Sequence, residues 1–254
     1  MAINIDKINA ALDRLDPEKK QSTGNVGSEH MVKLPEGTST IRLVPYKYDL
    51  EMPFREFHFH YGIGGKTFLC PNRMRQEPCE ICEVATKMWR QFEATQDETY
   101  KDAFKKLVST SRVYIPIVVR GEEDKGIRWW AVNPRTIYKD ILTTIKNAAK
   151  QNIDLTDPTE GRDLDILVQK GYNDYLIPKS VQVSFASSKL AETKKATETI
   201  LESVVNIDEL QTFRENSEQR VALNGFFAGG DTSVDENSVG SVKTFGKEPE
   251  EEDL

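Results

Sequence analysis

"HFHYGIGGKTFLCPNRMRQEPCEIC", residues 58–82, holds all three cysteines of a 254-residue chain and two of its three histidines. Cys79 and Cys82 stand in a Cys-x2-Cys spacing, which aims two thiolates at one point and forms the usual half-site of tetrahedral zinc. Cys70 closes the strand-like run "KTFLC" and supplies a third sulfur. A closed structural site needs a fourth ligand, and a histidine from "EFHFHY" is at hand. Strand alternation puts Phe57, Phe59 and Tyr61 on one face with His58 and His60 on the other, so parity alone leaves both histidines as candidates. "GIGG" reads as a hairpin turn that carries this strand back beside Cys70. An odd number of cysteines argues against a disulfide framework, and their clustering argues against three scattered core thiols.

Two other motifs pass through the same stretch and fail on their spacing. Pro78-Cys79-x-x-Cys82 also occurs in zinc-dependent nucleobase deaminases, which need an upstream His-x-Glu to shuttle protons. Here the order is Glu56-Phe57-His58 and His58-Phe59-His60, and Cys70 would fill the place a catalytic water needs. The expected zinc is therefore structural, a single Zn2+, and the chain is not expected to be an enzyme. "GGKT" ends like a phosphate-binding loop, but His60 occupies the position of its first glycine, and the run on either side is strand-like.

Outside this stretch the chain is polar and soluble in character, with 30% charged residues and a formal net charge of −7. No apolar run approaches the roughly 18 residues of a membrane span, and the first residues lack the basic-then-apolar order of a signal peptide. The negative charge is localised. From residue 229 to 254 eight acids face Lys243 and Lys247, whereas residues 37–135 carry 16 Lys/Arg against 13 Asp/Glu. Residues 3–15 read as a short amphipathic helix, either packed on its own domain or serving as a docking arm, followed by a polar linker. From Gly37, short β-branched and aromatic runs ("TSTIRLVPY", "FREFHFHY", "SRVYIPIVV", "IRWWAV", "KSVQVSFA") alternate with helical stretches. The expected fold is a β-rich α+β protein, a Greek-key barrel with insertions and peripheral helices. Residues 229–254 are expected to be disordered.

Bases and aromatics interleave along the strand-like runs. In "SRVYIPIVVR" parity separates Val113, Ile115, Ile117 and Val119 from Arg112, Tyr114 and Arg120; in "GIRWWAV" it separates Ile127 and Trp129 from Arg128 and Trp130. The first set of each pair is predicted to face a core and the second an exposed groove. A sheet face of cations and rings suits single-stranded nucleic acid, where cations follow phosphates and each base stack contributes about 1–3 kcal/mol.

The order of these motifs resembles the T-even-phage type of single-stranded DNA-binding replication protein. "TIRLVPYKYDLEMPFREFHFHYGIGGKTFLC…PCEIC", "SRVYIPIVVRGEEDKGIRWWAV" and "DPTEGRDLDILVQKGYNDY" carry the resemblance, followed by the acidic end. It implies an OB-fold core with a zinc subdomain at about 54–110, within a DNA-binding core of 24–228 that follows an N-terminal helical and basic arm at 1–23. The family's histidine ligand lies six residues after the phenylalanine of a Pro-Phe pair, and Pro53-Phe54 places it at His60, with Cys70, Cys79 and Cys82. The resemblance further implies non-catalytic, sequence-independent coating of single-stranded DNA in viral replication, recombination and repair, in the cytoplasm of an infected cell. Arg42, Lys47, Arg112, Arg120 and Arg128 are then expected on phosphates, with Tyr48, Tyr114, Trp130 and Tyr138 stacking on bases. "KKQST" (Lys19, Lys20, Ser22 and Thr23) is similar to the family's motif for self-association along the strand. The tail, with Glu250, Glu251, Glu252, Asp253 and Leu254, is expected to meet replication and recombination proteins and to compete with DNA. The alternative from another class is a zinc-ribbon protein-interaction module in transcription.

Overall fold

The β-branched runs become strands and the periodic apolar runs helices over the residues that the computed structural model describes: 4, 6–8, 30–171 and 175–228. In chain order the strands are β1 (Met31–Val32), β2 (Gly37–Leu43), β3 (Arg55–Ile63), β4 (Lys66–Leu69), β5 (Thr110–Val119), β6 (Arg128–Val132), β7 (Leu164–Lys170) and β8 (Leu176–Val183). The helices are α1 (Pro71–Arg75), α2 (Glu80–Thr95), α3 (Glu98–Leu107), α4 (Ile137–Ala149), α5 (Lys194–Glu202), α6 (Ile207–Leu210) and α7 (Asn216–Phe227). The chain divides into two units, each discontinuous in sequence: residues 1–57 with 111–212, and residues 58–110 with 213–254. The first segment of the second unit overlaps the range of about 54–110 named from the sequence, and a C-terminal segment joins it that the sequence reading had not included.

Unit one is built on a sheet with the strand order β1-β6-β5-β2-β7-β8. Central β2 pairs antiparallel with β5, Arg42 opposite Val118, and with β7, Thr38 opposite Leu167. Alternate residues Ile41, Leu43, Val113, Ile115, Ile117, Leu164, Ile166 and Val168 form its apolar core, as the period of two requires. Helix α4 covers this core because Ile137, Ile141, Leu142 and Ile145 fall on one stripe. Each such fully buried aliphatic side chain stabilises the fold by about 1.5–3 kcal/mol. The pairings form an open path from β1 to β8, and among the described residues none closes it into the expected barrel.

One prediction about faces is overturned. Arg112 to Val118 are buried on both sides of β5, so Tyr114 and Arg112 do not lie on an open face opposite Val113 and Ile115. The second face is covered by aromatic packing: Tyr114 meets Phe57 edge-on, with ring centroids 5.5 Å apart. In β6 both tryptophans are buried, Trp130 within the core and Trp129 edge-on to Tyr46 at 5.1 Å. At the N-terminus, Asn4 Oδ1 accepts from the backbone of Asp6 and Lys7, and Ile8 is buried in the unit-one core. This described turn packs on its own unit; the rest of residues 3–15 lies outside the described residues.

Unit two begins with the hairpin of β3 and β4. Gly64 and Gly65 both have positive φ, 55° and 72°, and Ile63 pairs with Lys66 across them. A two-residue turn of this kind suits glycine because neither position tolerates a Cβ without strain. The run after "GGKT" is strand β4, so the sequence is a hairpin, not a phosphate loop. A Cβ on Gly64 would also lie 2.8 Å from the carbonyl oxygen of Ala222. Gly64→Ala should therefore destabilise unit two by about 1–2 kcal/mol from the left-handed backbone alone, and more from the clash, read as a lower denaturant midpoint. No described helix is long and apolar enough to cross a membrane.

Candidate metal centre

Four local structures in unit two deliver four side chains to one place. His60 sits in β3 opposite Phe68 of β4. Cys70, just past β4, donates its backbone N–H to the His58 carbonyl at 2.8 Å, so the hairpin itself holds ligand strand and thiol together. Cys70 also caps α1: its Sγ accepts from the Arg73 backbone N–H at 3.4 Å, with proline at the first helical position. Cys79 is the N-cap residue of α2, and Cys82 lies in its first turn. The N-terminal end of a 16-residue helix therefore carries two of the sulfurs.

The ligand atoms of His60, Cys70, Cys79 and Cys82 all lie within 4.8 Å of one another and could hold a metal ion. Cys70 Sγ is 3.4 Å from Cys82 Sγ, far longer than a disulfide of about 2.05 Å. His60 Nε2 is 3.4 Å from Cys79 Sγ and 3.6 Å from Cys82 Sγ. A tetrahedral ion with bonds of about 2.3 Å to sulfur and 2.0–2.1 Å to nitrogen needs edges of roughly 3.5–3.8 Å, and these three distances lie close to that. The other ring nitrogen, His60 Nδ1, is 2.7 Å from the Leu107 carbonyl. That carbonyl can only accept, so Nδ1 carries the proton and the Nε2 lone pair is aimed at the sulfurs.

Protonation follows from the crowding. Hydrogen bonds from Cys79 and Cys82 hold the Cys70 thiol far below its ordinary value, and bonding to Cys70 and Cys79 pushes the Cys82 thiol up. Burial by itself would lower the His60 pKa, but hydrogen bonds and charge from Cys70 and Cys79 outweigh it and raise the value to about 9. A raised His60 binds a proton below that pH, so a metal must displace it. Metal affinity should accordingly fall as pH is lowered through neutrality, checked by competition with a chelator at a series of pH values.

The centre unites His60, not His58, with the three cysteines. Sequence reasoning missed Gln219 of α7, fully buried with its Oε1 3.6 Å from Cys79 Sγ. A polar residue on the same helical face as Ala222 and Leu223 was the available signal.

The nine residues predicted to touch nucleic acid are scattered in role. Arg42 is fully buried and committed to Asp163, Ser188 Oγ and the Asp157 carbonyl. Arg120 forks onto Asp163 at 2.8–3.0 Å and onto the Lys189 and Leu190 carbonyls. Arg128 pairs with Glu122. Tyr114, Trp130 and Tyr138 are buried, Tyr138 edge-on to Phe54 at 5.8 Å. Those six make packing or polar contacts within the fold, because a sheet buried on both faces needs large side chains inside as much as a ligand face needs them outside. Lys47 and Tyr48 are exposed, Tyr48 at 51%. Arg112 is buried, and no ion pair or hydrogen bond joins it to any described residue. Lys19, Lys20, Ser22, Thr23 and residues 229–254 lie outside the described residues. Exposed aromatics that the sequence reading did not single out include Phe185, at 98%, and Tyr175.

A sheet-built unit together with one organised on a Cys3His cluster defines an α+β protein with a metal-capable, four-ligand centre. The chain belongs to the gp32 DNA binding protein like family, which it matches over residues 35–225. The match bears out the resemblance to T-even-phage single-stranded DNA-binding proteins, and the family's ligand is DNA. It spans all four candidate ligands. No curated protein matches the chain.

Proposed function

We propose that the protein coats single-stranded DNA without sequence preference during viral replication, recombination and repair in the cytoplasm of an infected cell, and performs no chemistry on it. Family membership over residues 35–225 is the observation that carries this reading. Arg112 supports it: the residue is buried and its Nε has no hydrogen-bond partner, so an incoming phosphate would supply one. Lys47 and Tyr48, adjacent and exposed, offer a second phosphate contact and a ring for a base. The unit-one sheet is read as an OB-type core because β2 pairs with β5 and β7, strands distant in sequence, as Greek-key connections require. The bound ion is read as one structural Zn2+, since three thiolates and an imidazole suit it and leave no coordination position for a substrate or water. Zinc would cross-link the β3–β4 hairpin to the start of α2. Lys19, Lys20, Ser22 and Thr23 would serve self-association along the strand, and the 229–254 polyanion would bind replication and recombination proteins and compete with DNA for cationic sites.

The test is fluorescence anisotropy of labelled oligothymidine over a range of salt. Intrinsic tryptophan quenching suits it poorly, because Trp129 and Trp130 are buried. Binding should weaken with a log–log salt slope of about −0.7 per phosphate neutralised, and Arg112→Ala should reduce that slope by about one such step. Removing 229–254 should tighten binding, most at low salt. Failure to bind oligothymidine at low salt would overturn the reading and favour a zinc-ribbon protein-interaction module.

A further inference from the structure

Helix α7 reaches the segments that carry the metal ligands. Ala222 backbone atoms lie against Gly64 of the hairpin turn, and Arg220 pairs with Glu80, the residue after Cys79. Just before the helix, the Phe213 ring lies 3.8 Å under the Arg75 guanidinium of α1. On its buried face, with Ala222 and Leu223, stands Gln219. It is 0% exposed, its Oε1 is 3.6 Å from Cys79 Sγ, and its Nε2 has no hydrogen-bond partner. An amide on an apolar face with an unsatisfied donor calls for a partner.

A carboxamide exchanges oxygen and nitrogen by a half-turn, and only its hydrogen-bond partners decide between them. A thiol at Cys79 can donate to Oε1. A thiolate that holds a metal has no proton to give and only accepts, so a carbonyl oxygen facing it is repelled while an N–H facing it is attracted. We propose that, with a metal bound, Gln219 turns its Nε2–H to the Cys79 thiolate, and that this bond makes α7 a positioning element of the metal centre. The inference rests on the metal reading above. Coupling of this kind is reciprocal: whatever α7 adds to metal retention, the metal returns to the docking of α7. The acidic stretch follows α7 directly in sequence, so metal occupancy would also set whether that stretch starts from an anchored helix.

The experiment uses the full chain loaded with zinc, its metal content measured first. Gln219→Met keeps side-chain length and removes the donor; Arg220→Ala loosens the same helix through an exposed ion pair. Zinc transfer to a chromogenic chelator should be about 10–100-fold faster in Q219M, and hardly changed in R220A. Amide hydrogen exchange of residues 216–227 should rise in loaded Q219M while residues 66–70 keep their protection. With cobalt(II) in place of zinc, the sulfur-to-metal charge-transfer band should shift in Q219M alone. Q219M that retains zinc as long as the wild type, or R220A that loses it as fast as Q219M, overturns the inference and leaves the metal reading standing. A chain that takes up no metal overturns both.

Discussion

Replacing Cys79 with serine should leave the purified chain without metal and residues 58–110 open to protease. Unit two has a small apolar core, with Ile63, Phe68, Ile81, Ala85, Leu107, Ala222 and Leu223 packed around Cys70 and Cys79 themselves. Cores of that size rarely suffice alone and are commonly held by a disulfide or a metal. A structural zinc contributes roughly 10–16 kcal/mol of apparent binding free energy, as much as the whole stability of a typical domain at about 5–15 kcal/mol. Serine keeps the shape but its hydroxyl stays protonated at neutral pH and is a poor fourth donor. The variant also strands His60, Cys70 and Cys82, groups whose charges the ion would have balanced, in or beside an apolar interior. Metal analysis, far-ultraviolet circular dichroism and limited proteolysis check the outcome. A metal-free variant with native resistance to protease would show that packing alone holds this unit.

Arg42→Ala should cost about 3–5 kcal/mol, the scale for breaking a buried ion pair. The guanidinium is fully buried; Nη1 meets Ser188 Oγ at 2.9 Å and Asp163 at 3.4 Å, and Nη2 meets the Asp157 carbonyl. Burial lowers the Arg42 pKa, and Asp163 draws it part of the way back. The fit is close: a Cβ added at Gly161 would sit 2.3 Å from Nη2. Arg42→Met should be milder, because it fills the space and leaves Asp163 its second partner, Arg120, at 2.8 Å. Urea denaturation of the two variants separates lost charge from lost volume; equal midpoints would mean that the lost charge and its bonds decide, not packing. Folded R42M should bind oligothymidine with the wild-type salt slope, since this arginine is fully buried and its Nη1 and Nη2 are committed within the fold.

What could be read from the residues, and what could not, divides along a physical line. The metal cluster was legible because the ligands are local: a hairpin and one helix turn bring His60, Cys70, Cys79 and Cys82 together through segments adjacent in sequence. The tie between His58 and His60 was not legible from alternation, which gives both the same face; the Leu107 carbonyl beyond His60 comes from the end of α3. Alternation also misled in β5, where a period of two assigns faces but cannot report that both faces are covered. Arg42 and Arg120 look like phosphate ligands beside aromatics, yet their partners Asp163 and Ser188 lie more than 40 residues further along. Gln219 is similar, being 140 residues from Cys79. Long-range partners of polar groups leave no periodic trace.

Because unit two is assembled from two distant segments, its parts leave the ribosome at different times. At 5–20 residues per second, roughly 7–27 s separate the synthesis of Cys82 from that of Gln219. Nascent chains would thus present a complete set of metal donors well before the last helix exists. Ion capture would come first, and the C-terminal segment would close over a centre already made.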